Sequence, residues 1–301
     1  MISVGPTFRR EIDSFVADLE RHDLLVNLEA GAYAFTERSR TEIACSARSS
    51  APLARLTELI RSLVDEAGYA HVCGLPEGHR PAWLLAIGEA LGPVLDDLEL
   101  QPAPVLISEV RPGAKLQGSQ LRELDLHSDY SMLSEPPRLT VLRNVVPDPH
   151  SMYGTNGVVD VSRLVFRHDG SEDCQLWFSV QLPFAAMAQT GSEHLLWSPI
   201  LTRTNDRSTV RVRFHLSRIR RGFALSGRHA TPIEARAMST FLAAAEQLRE
   251  EVSLCPGDLL VIDNHACLHA RRRCSCVVEF DHARGRDTQV VFVSNLHGAT
   301  S

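Results

Sequence analysis

The spacing of apolar residues changes near residue 104, and this change restricts the fold more than any other feature of the chain. Before it, apolar side chains recur at helical spacing; after it, short β-like runs alternate with turn residues. The helical patterns cover residues 8–19, 53–64 and 82–91. The strand-like runs cover residues 69–72, 105–110, 139–146, 158–166, 175–182, 210–216, 259–262 and 290–293. This order predicts an α+β fold with a mainly β core, either a barrel or a sandwich, and with helices packed outside it.

One further helix is predicted inside the β-rich part. Thr231 and Glu234 form a capping-box pattern around Pro232, and the apolar spacing behind them predicts a helix that continues to about residue 252. Residues 255–258 then predict a turn into the strand at 259–262. Because the chain has neither repeats nor a low-complexity linker, we expect a single domain over 1–301. Its helical part covers about 1–100 and its β core about 104–295.

Composition excludes several classes of partner. A formal net charge of -6 argues against non-specific nucleic-acid binding, which needs a basic surface. No apolar run approaches the roughly 18 residues that span a bilayer. The seven cysteines are scattered and lack the spacing of a small disulfide-bonded domain, which is typical of reduced thiols in the cytosol. We therefore expect a cytoplasmic protein without a membrane or nucleic-acid partner. The sequence does not indicate an oligomeric state.

The segment Leu126-His127-Ser128-Asp129 is the first that indicates chemistry. In an extended segment, residues two apart point to the same side, so His127 and Asp129 can converge on one point. Two imidazoles and one carboxylate form the facial triad of non-haem iron(II) oxygenases. An isolated H-x-D triplet is more often a solvated strand end, so a second histidine elsewhere in the chain is needed.

The segment from Gly257 to Arg271, GDLLVIDNHACLHAR, supplies that histidine. It resembles the "GDLLxxDNxxxxHxR" motif of the taurine dioxygenase and clavaminate synthase-like oxygenases, whose final histidine is the third iron ligand. That position is His269, and the H-x-D triplet lies about 140 residues before it, as in this family. Shorter similarities occur at residues 68–76, 89–92, 136–138 and 154–155. The resemblance therefore extends from about residue 56 to 293.

The resemblance implies a fold, a reaction and a set of ligands. The fold is a double-stranded β-helix, the jelly-roll or cupin-like barrel, with flanking helices. Iron(II) is held by His127, Asp129 and His269, and 2-oxoglutarate and dioxygen take the remaining coordination positions. The reaction is the oxidative decarboxylation of 2-oxoglutarate, coupled to oxidation of a C–H bond in a small-molecule substrate. Since Asp129 is a carboxylate rather than a small residue, halogenation is not expected.

The resemblance also implies an arginine for the far carboxylate of 2-oxoglutarate, because a guanidinium matches a carboxylate in a bidentate fashion. Alignment on the strand at 290–293 favours Arg286 over Arg284. Thr155 matches the threonine that assists this arginine in the family. Arg271 matches a family position near the bound co-substrate.

Other interpretations of these residues stay open. His265 and His269, four residues apart, could bind zinc on a helix, but Ala266 stands where a zinc hydrolase has its general base. His265 is better explained as a loop residue near the site. A non-catalytic barrel that binds a ligand is a further alternative. Cys274 and Cys276 are best explained as ordinary strand residues.

The substrate is the least determined feature. We expect hydroxylation of a free or carrier-bound amino acid, or a similar small polar metabolite, in specialised metabolism such as antibiotic biosynthesis. Desaturation, cyclisation, epimerisation, or a nucleoside or nucleotide substrate would use the same ligands. Residues 169–190 could form a lid or, equally, part of the core. A basic run could bind a substrate carboxylate or phosphate, although a solvated face is the commoner explanation; its members are Arg211, Arg213, Arg218, Arg220 and Arg221.

Overall fold

The computed structural model describes residues 1–19, 32–33, 35–95, 104–114, 117–187, 193–204, 209–279 and 282–294. Within these ranges the helices are α1 (Pro6–Leu19), α2 (Glu37–Ser49), α3 (Ala51–Ala67), α4 (Pro81–Leu91), α5 (Val161–His168), α6 (Glu172–Ser179), α7 (Leu216–Leu225) and α8 (Pro232–Gln247). The strands are β1 (Ile2–Ser3), β2 (Ala32–Tyr33), β3 (Tyr69–Cys73), β4 (Val105–Glu109), β5 (Leu124–His127), β6 (Leu139–Val146), β7 (Asn156–Asp160), β8 (Leu182–Met187), β9 (Glu193–Ser198), β10 (Leu201–Arg203), β11 (Val210–Val212), β12 (Glu250–Val252), β13 (Leu259–Asp263), β14 (Cys267–Arg271), β15 (Cys276–Glu279), β16 (His282–Gly285) and β17 (Asp287–Val293). None of the described helices combines the length and the apolar character that a membrane span requires.

A seven-stranded sheet has the order β1-β3-β13-β6-β17-β4-β2. Its central strand β6 pairs antiparallel with β13 on one side and with β17 on the other. Successive residues of these strands point to opposite faces. Val141, Val261 and Val291 therefore share the outer face, where they join one apolar cluster with side chains of α1 to α4. Leu142 and Val290 point the other way, toward the interior between the sheets.

A four-stranded antiparallel sheet has the order β12-β7-β14-β5. The register of β14, one of its two inner strands, places His269 opposite His127 on β5 and opposite Val158 on β7. The neighbours of His269 along β14, Leu268 and Ala270, join an apolar cluster with side chains of α5 to α8. The strand therefore directs its apolar residues to the helices and leaves His269 on the other face.

The turn between α3 and β3 shows how local sequence positions these elements. Ser50 begins α3 by accepting a hydrogen bond from the backbone N–H of Leu53. Gly68 ends it in the left-handed conformation, with φ of 78°, and donates its N–H to the carbonyl of Val64. A Cβ atom at Gly68 would lie 2.3 Å from Sγ of Cys267 on β14. This close approach requires glycine.

Most of the predicted helices and strands are confirmed. The helical patterns at 8–19, 53–64 and 82–91 correspond to α1, α3 and α4, and the capping box at Thr231 begins α8. The strand patterns at 69–72, 105–110, 139–146, 259–262 and 290–293 correspond to β3, β4, β6, β13 and β17. The structure adds α2, which the sequence had not indicated.

The predicted strands at 158–166 and 175–182 are wrong. The first ends at Asp160, whose side chain accepts a hydrogen bond from the N–H of Ser162 and so begins α5. Val161, Leu164 and Val165 are buried at helical spacing. The two β-branched valines favour a strand by propensity, but the helical spacing of the buried residues decides the structure. In the second segment Ser171 caps α6, which occupies most of the predicted strand. A capping residue in front of an amphipathic pattern outweighs β-propensity here.

Two further boundaries differ. The strand predicted at 210–216 ends at Val212, and α7 begins at Leu216. The helix predicted to continue to 252 ends at Gln247, because residues 250–252 pair as β12 with β7. In the second case pairing with a distant strand sets the boundary. In the first, β11 pairs with its chain neighbour β10, and the chain then continues into α7.

Candidate metal centre and co-substrate pocket

Three predicted ligands meet at one end of the four-stranded sheet. His127 ends β5, Asp129 follows two residues later, and His269 lies opposite His127 on β14. Nε2 of His269 lies 3.2 Å from Oδ2 of Asp129, and Nε2 of His127 lies 3.6 Å from Oδ1. One ligand atom from each side chain lies within 4.8 Å of the other two. Two ligands held about 2.1 Å from an ion at right angles are about 3 Å apart, so these residues fit a divalent metal ion.

Asp129 is held in position from three sides. The side chain of Asn264 accepts a hydrogen bond from the N–H of Asp129 at 2.6 Å and donates to its carbonyl at 2.9 Å. The hydroxyl of Thr140 donates to Oδ2 of Asp129 at 2.7 Å. The next residue, Tyr130, has a left-handed φ of 51°, an unusual conformation for a bulky residue. The backbone is therefore strained at Tyr130, where the chain turns away from the carboxylate of Asp129.

The ring of His127 is oriented by a backbone contact. Its Nδ1 lies 2.7 Å from the carbonyl oxygen of Asp125, an acceptor, so Nδ1 carries the hydrogen and donates it. In the neutral ring, Nε2 then has a free lone pair directed toward Asp129. Nδ1 of His269 is buried and has no hydrogen-bond partner within the part of the chain that the structure describes.

The three side chains are strongly coupled electrostatically. Burial lowers the pKa of His127, but the hydrogen bond and charge of Asp129 outweigh burial and raise it. Burial raises the pKa of Asp129, but the charge of His269 and the hydrogen bonds from His127 and His269 bring it well below its ordinary range. The carboxylate is therefore ionised and attracts positive charge. A bound divalent cation would take the place of the protons on the imidazoles.

A cavity of about 290 Å³ opens beside the triad, between the inner faces of the two sheets. Its volume suits a small molecule. The seven-stranded sheet contributes Leu106, Ile107, Ser108, Thr140, Leu142, Thr288, Val290 and Phe292 to its wall. The four-stranded sheet contributes Leu124, His127, Asn156, His269, Ala270 and Arg271. The triad therefore faces a chamber large enough for a co-substrate.

Arg286 is a buried cation in the wall of this cavity. It is only 4% exposed, and its Nη2 donates to Oδ1 of Asn156 at 3.0 Å. Burial lowers the pKa of Arg286 to about 10, so the guanidinium remains charged at neutral pH. Among the described residues, no carboxylate lies within ion-pair distance of it. A carboxylate ligand would compensate this charge, which fits the far end of 2-oxoglutarate.

Arg271 also lines the cavity, but its donors are used within the protein. Its guanidinium donates to the carbonyls of Gly118, Gln120 and Arg122, the last at 2.9 Å. Arg271 therefore holds the segment 117–122 against β14. These contacts indicate that Arg271 shapes the wall of the cavity.

The two other predicted co-substrate residues are Thr155 and Arg284. The hydroxyl of Thr155 donates to Glu251 at 2.9 Å, and its side chain is not part of the cavity wall. The next residue, Asn156, lines the cavity instead, so the expectation for Thr155 is corrected by one position. Arg284 lies in β16, opposite Val277 of β15, and its side chain is outside the described residues.

His215 and Arg218 line the cavity. The sequence had not indicated His215, and it had indicated Arg218 only as one member of the basic run. His215 forms an isolated β-bridge with His127, and their ring centroids are 5.0 Å apart. Burial, together with the charges of His127 and Arg218, lowers the pKa of His215 to about 3, so its ring is neutral. Arg218 lies in the first turn of α7. In the basic run, the only signal for this site was the distance along the sequence between His215 and Arg218. That signal became informative only when the structure showed α7 in place of the end of the predicted strand.

Several alternatives are decided by individual contacts. Nε2 of His265 lies 3.1 Å from the carbonyl of Pro136, and His265 belongs to neither described group of metal-ligating side chains. Trp177 is buried in α6 and donates to Thr240 at 3.0 Å, so it is part of the core rather than a lid. Arg213 donates to the carbonyls of Ser131, Leu133 and Ser134. Cys274 and Cys276 are free thiols at the start of β15.

Together these features define a class of protein: a mononuclear metal site of two histidines and one carboxylate, open to a pocket with a buried arginine for an acidic co-substrate. Residues 46–286 match the model of the taurine catabolism dioxygenase TauD, TfdA family. The chain belongs to this family. It is therefore an oxidoreductase, a dioxygenase that uses iron(II), 2-oxoglutarate and dioxygen, as the motifs had led us to expect.

Solved structures share the fold. An asparagine oxygenase in complex with Fe(II), 2S,3S-3-hydroxyasparagine and succinate has a TM-score of 0.77 and 17% identity, over 97% of this chain and 93% of that chain. The non-haem iron oxygenase OrfP, in complex with Fe and alpha-ketoglutaric acid, has a TM-score of 0.69 and 15% identity over the same shares. No curated protein matches the chain by sequence.

Proposed function

We propose that this protein hydroxylates a free or carrier-bound amino acid, or a similarly small polar metabolite, in an iron(II)- and 2-oxoglutarate-dependent reaction. His127, Asp129 and His269 hold the iron, and Arg286 anchors the far carboxylate of 2-oxoglutarate. One observation carries the proposal: the triad faces the same cavity as a buried arginine that has no carboxylate partner among the described residues. The asparagine oxygenase and OrfP complexes, which contain hydroxyasparagine and L-Arg respectively, support an amino-acid substrate.

The bound iron would supply the oxidising chemistry, and the side chains of this protein provide position and exclusion of water. Thr140 fixes the carboxylate of Asp129 and Asn264 fixes its backbone. The carbonyl of Asp125 fixes the ring of His127. Asn156 directs the guanidinium of Arg286. Around them the apolar wall keeps the reacting centre dry; it includes Leu106, Leu124, Leu142, Val290 and Phe292.

The charges of the wall favour a substrate that presents a carboxylate. Asp129 is the one carboxylate in the described wall of the cavity, and metal binding would occupy it. Arg218 lies in this wall and makes no hydrogen bond or ion pair with the described residues. An α-carboxylate or side-chain carboxylate would therefore find a partner in Arg218, with the neutral ring of His215 beside it.

The direct test is incubation of the purified protein with iron(II), ascorbate, 2-oxoglutarate and a panel of amino acids, peptides and nucleosides. We expect succinate in amounts that depend on iron and substrate, together with a product heavier by one oxygen atom. A product lighter by two hydrogen atoms would indicate desaturation or cyclisation instead. Activity with zinc and without 2-oxoglutarate would contradict the proposal.

Arg218→Gln tests the substrate contact, and Arg220→Gln is its control, since Arg220 is exposed on the same helix. Arg218→Gln should raise the KM for an acidic substrate by about 10- to 100-fold, as expected for loss of a charged hydrogen bond. The KM for 2-oxoglutarate should stay the same. An unchanged substrate KM would exclude this role for Arg218.

We further propose that the two sheets close as a double-stranded β-helix and that residues 1–301 form one domain. In it the helical part covers about 1–100 and the β core about 104–295. The shared apolar cluster of α1 to α4 and the seven-stranded sheet supports a single domain. We also propose that the protein works in the cytoplasm, in specialised metabolism such as antibiotic biosynthesis, which its seven free thiols and its amino-acid-binding structural neighbours support.

A further inference from the structure

A second group of metal-ligating side chains lies away from the cavity. It consists of His71 and Cys73 on β3 and Asp258 before β13, and one ligand atom from each lies within 4.8 Å of the others. Nε2 of His71 is 3.1 Å from Oδ2 of Asp258 and 3.3 Å from Sγ of Cys73. None of the three lines the pocket beside the iron triad. The iron-dependent reaction uses none of them.

The sheet itself brings these side chains together. His71 and Cys73 are two apart on one strand, so they point to the same face. Leu259 pairs with Val72 in antiparallel register, which places Asp258 opposite Cys73. The turn before β13 fixes the carboxylate, because the N–H of Cys255 donates to Oδ2 of Asp258 at 2.9 Å. The carboxylate is buried, while His71 and Cys73 are partly exposed and can be reached by an ion from solvent.

The spacing of the three ligand atoms suits a metal ion. Both short contacts of His71 involve the same atom, Nε2. Around a tetrahedral ion with metal–nitrogen and metal–oxygen distances of about 2.0–2.2 Å and a metal–sulfur distance of about 2.3 Å, neighbouring ligands are roughly 3.3–3.6 Å apart. The observed separations of 3.1 and 3.3 Å are close to these values.

We propose that His71, Cys73 and Asp258 form a second metal site, which binds zinc(II) and is separate from the iron centre. A nitrogen, a thiolate and a carboxylate suit a borderline-soft ion of tetrahedral preference. The ion would join β3 to the turn that precedes β13. β13 leads directly to Asp263 and Asn264, and Asn264 holds the backbone of Asp129. Zinc at this position would therefore stabilise the strand that supports Asp129.

Cobalt(II) is the probe that separates the two sites. The iron triad offers only nitrogen and oxygen, whereas the proposed site includes a thiolate, which gives cobalt an intense sulfur-to-metal charge-transfer band in the near ultraviolet. The full-length His127→Ala variant, treated with a chelator and titrated with cobalt(II) under reducing conditions, should develop this band and saturate it at one equivalent. Zinc(II) should abolish it. Absence of the band would overturn the proposal.

Cys73→Ser should remove the band, and Cys45→Ser, which changes an exposed thiol on α2, should retain it. A band that persists in Cys73→Ser would overturn the assignment. Alkylation of the unmodified chain provides a measurement that does not depend on how a variant folds. Zinc(II) should slow the alkylation of Cys73 at least tenfold while leaving that of Cys45 unchanged, as measured by peptide mass spectrometry. The same rate of Cys73 alkylation with and without zinc(II) would contradict the site.

Discussion

The iron triad and the His71–Cys73–Asp258 group are built on the same plan but have different surroundings. Each takes two ligands from residues two apart and a third from the neighbouring strand. The triad is braced by Asn264 and Thr140 and opens onto a cavity of about 290 Å³, whereas the second group contains a thiol and lies outside that cavity. Converging ligands are therefore enough for a metal site, but the site can support a reaction only where a chamber for the reactants adjoins it.

The largest contrast is expected from removing one ligand of each group. His127→Ala should reduce succinate formation by at least about 1000-fold, more than the 10- to 100-fold typical of residues around the ligands. Cys73→Ser should retain activity within about twofold. His265→Ala, a histidine outside both groups, is the control and should stay active. If His127→Ala were as active as the unmodified chain, the triad would be no more important for catalysis than the second group.

Arg286→Ala tests whether the chamber is what makes the triad catalytic. Loss of a buried guanidinium from a carboxylate contact costs about 2–4 kcal/mol, so the KM for 2-oxoglutarate should rise by about 30- to 1000-fold. Steady-state kinetics with varied 2-oxoglutarate provide the measurement. Arg284→Ala is the matched control and should change this KM little. The reverse result would place the co-substrate arginine on β16.

Thr140→Val tests the bracing of the triad at nearly constant volume. It removes the hydrogen bond to Oδ2 of Asp129 and should weaken iron(II) binding by about 10-fold, because such outer contacts orient the ligand. Iron affinity can be measured by competition with a chromophoric chelator. Unchanged affinity would show that this hydrogen bond does not orient the carboxylate. Asp129→Glu should lose more activity than Thr140→Val, since its longer side chain displaces the ligand atom.

The smallest effect concerns the second group. In the His127→Ala background, zinc(II) at about 100 times its Kd should stabilise the fold by about 2.7 kcal/mol and raise Tm by roughly 5 °C. The shift should be absent in the double variant that also carries Cys73→Ser. Differential scanning fluorimetry with and without a chelator provides the measurement. An equal shift in both proteins would assign the stabilisation to another site.

The convergence of His127, Asp129 and His269 could be predicted from the sequence because each position depends on local information. His127 and Asp129 needed only the two-residue period of an extended chain, and His269 stood at the end of a specific motif. Arg286 needed one correct strand alignment, at 290–293. By contrast, Thr155 was named because it matches a family threonine, whereas the structure places its neighbour Asn156 in the cavity wall. A displacement of one residue along a strand reverses the face on which a side chain lies.

His215 and Arg218 could not be predicted in the same way. Their place in the cavity wall depends on α7, where the spacing of apolar residues had indicated the end of a strand. The bridge between His215 and His127 joins parts of the chain that are far apart in sequence, and no local pattern indicates it. This part of the cavity wall is therefore the part of the fold that only the tertiary structure reveals.

The most direct test of the iron site is anomalous diffraction at the iron edge, on crystals grown without oxygen in the presence of iron(II). A single strong peak should lie about 2.0–2.2 Å from Nε2 of His127, Nε2 of His269 and a carboxylate oxygen of Asp129. A peak that lies elsewhere, or these three side chains turned away from one another in fully loaded crystals, would contradict the proposed metal centre.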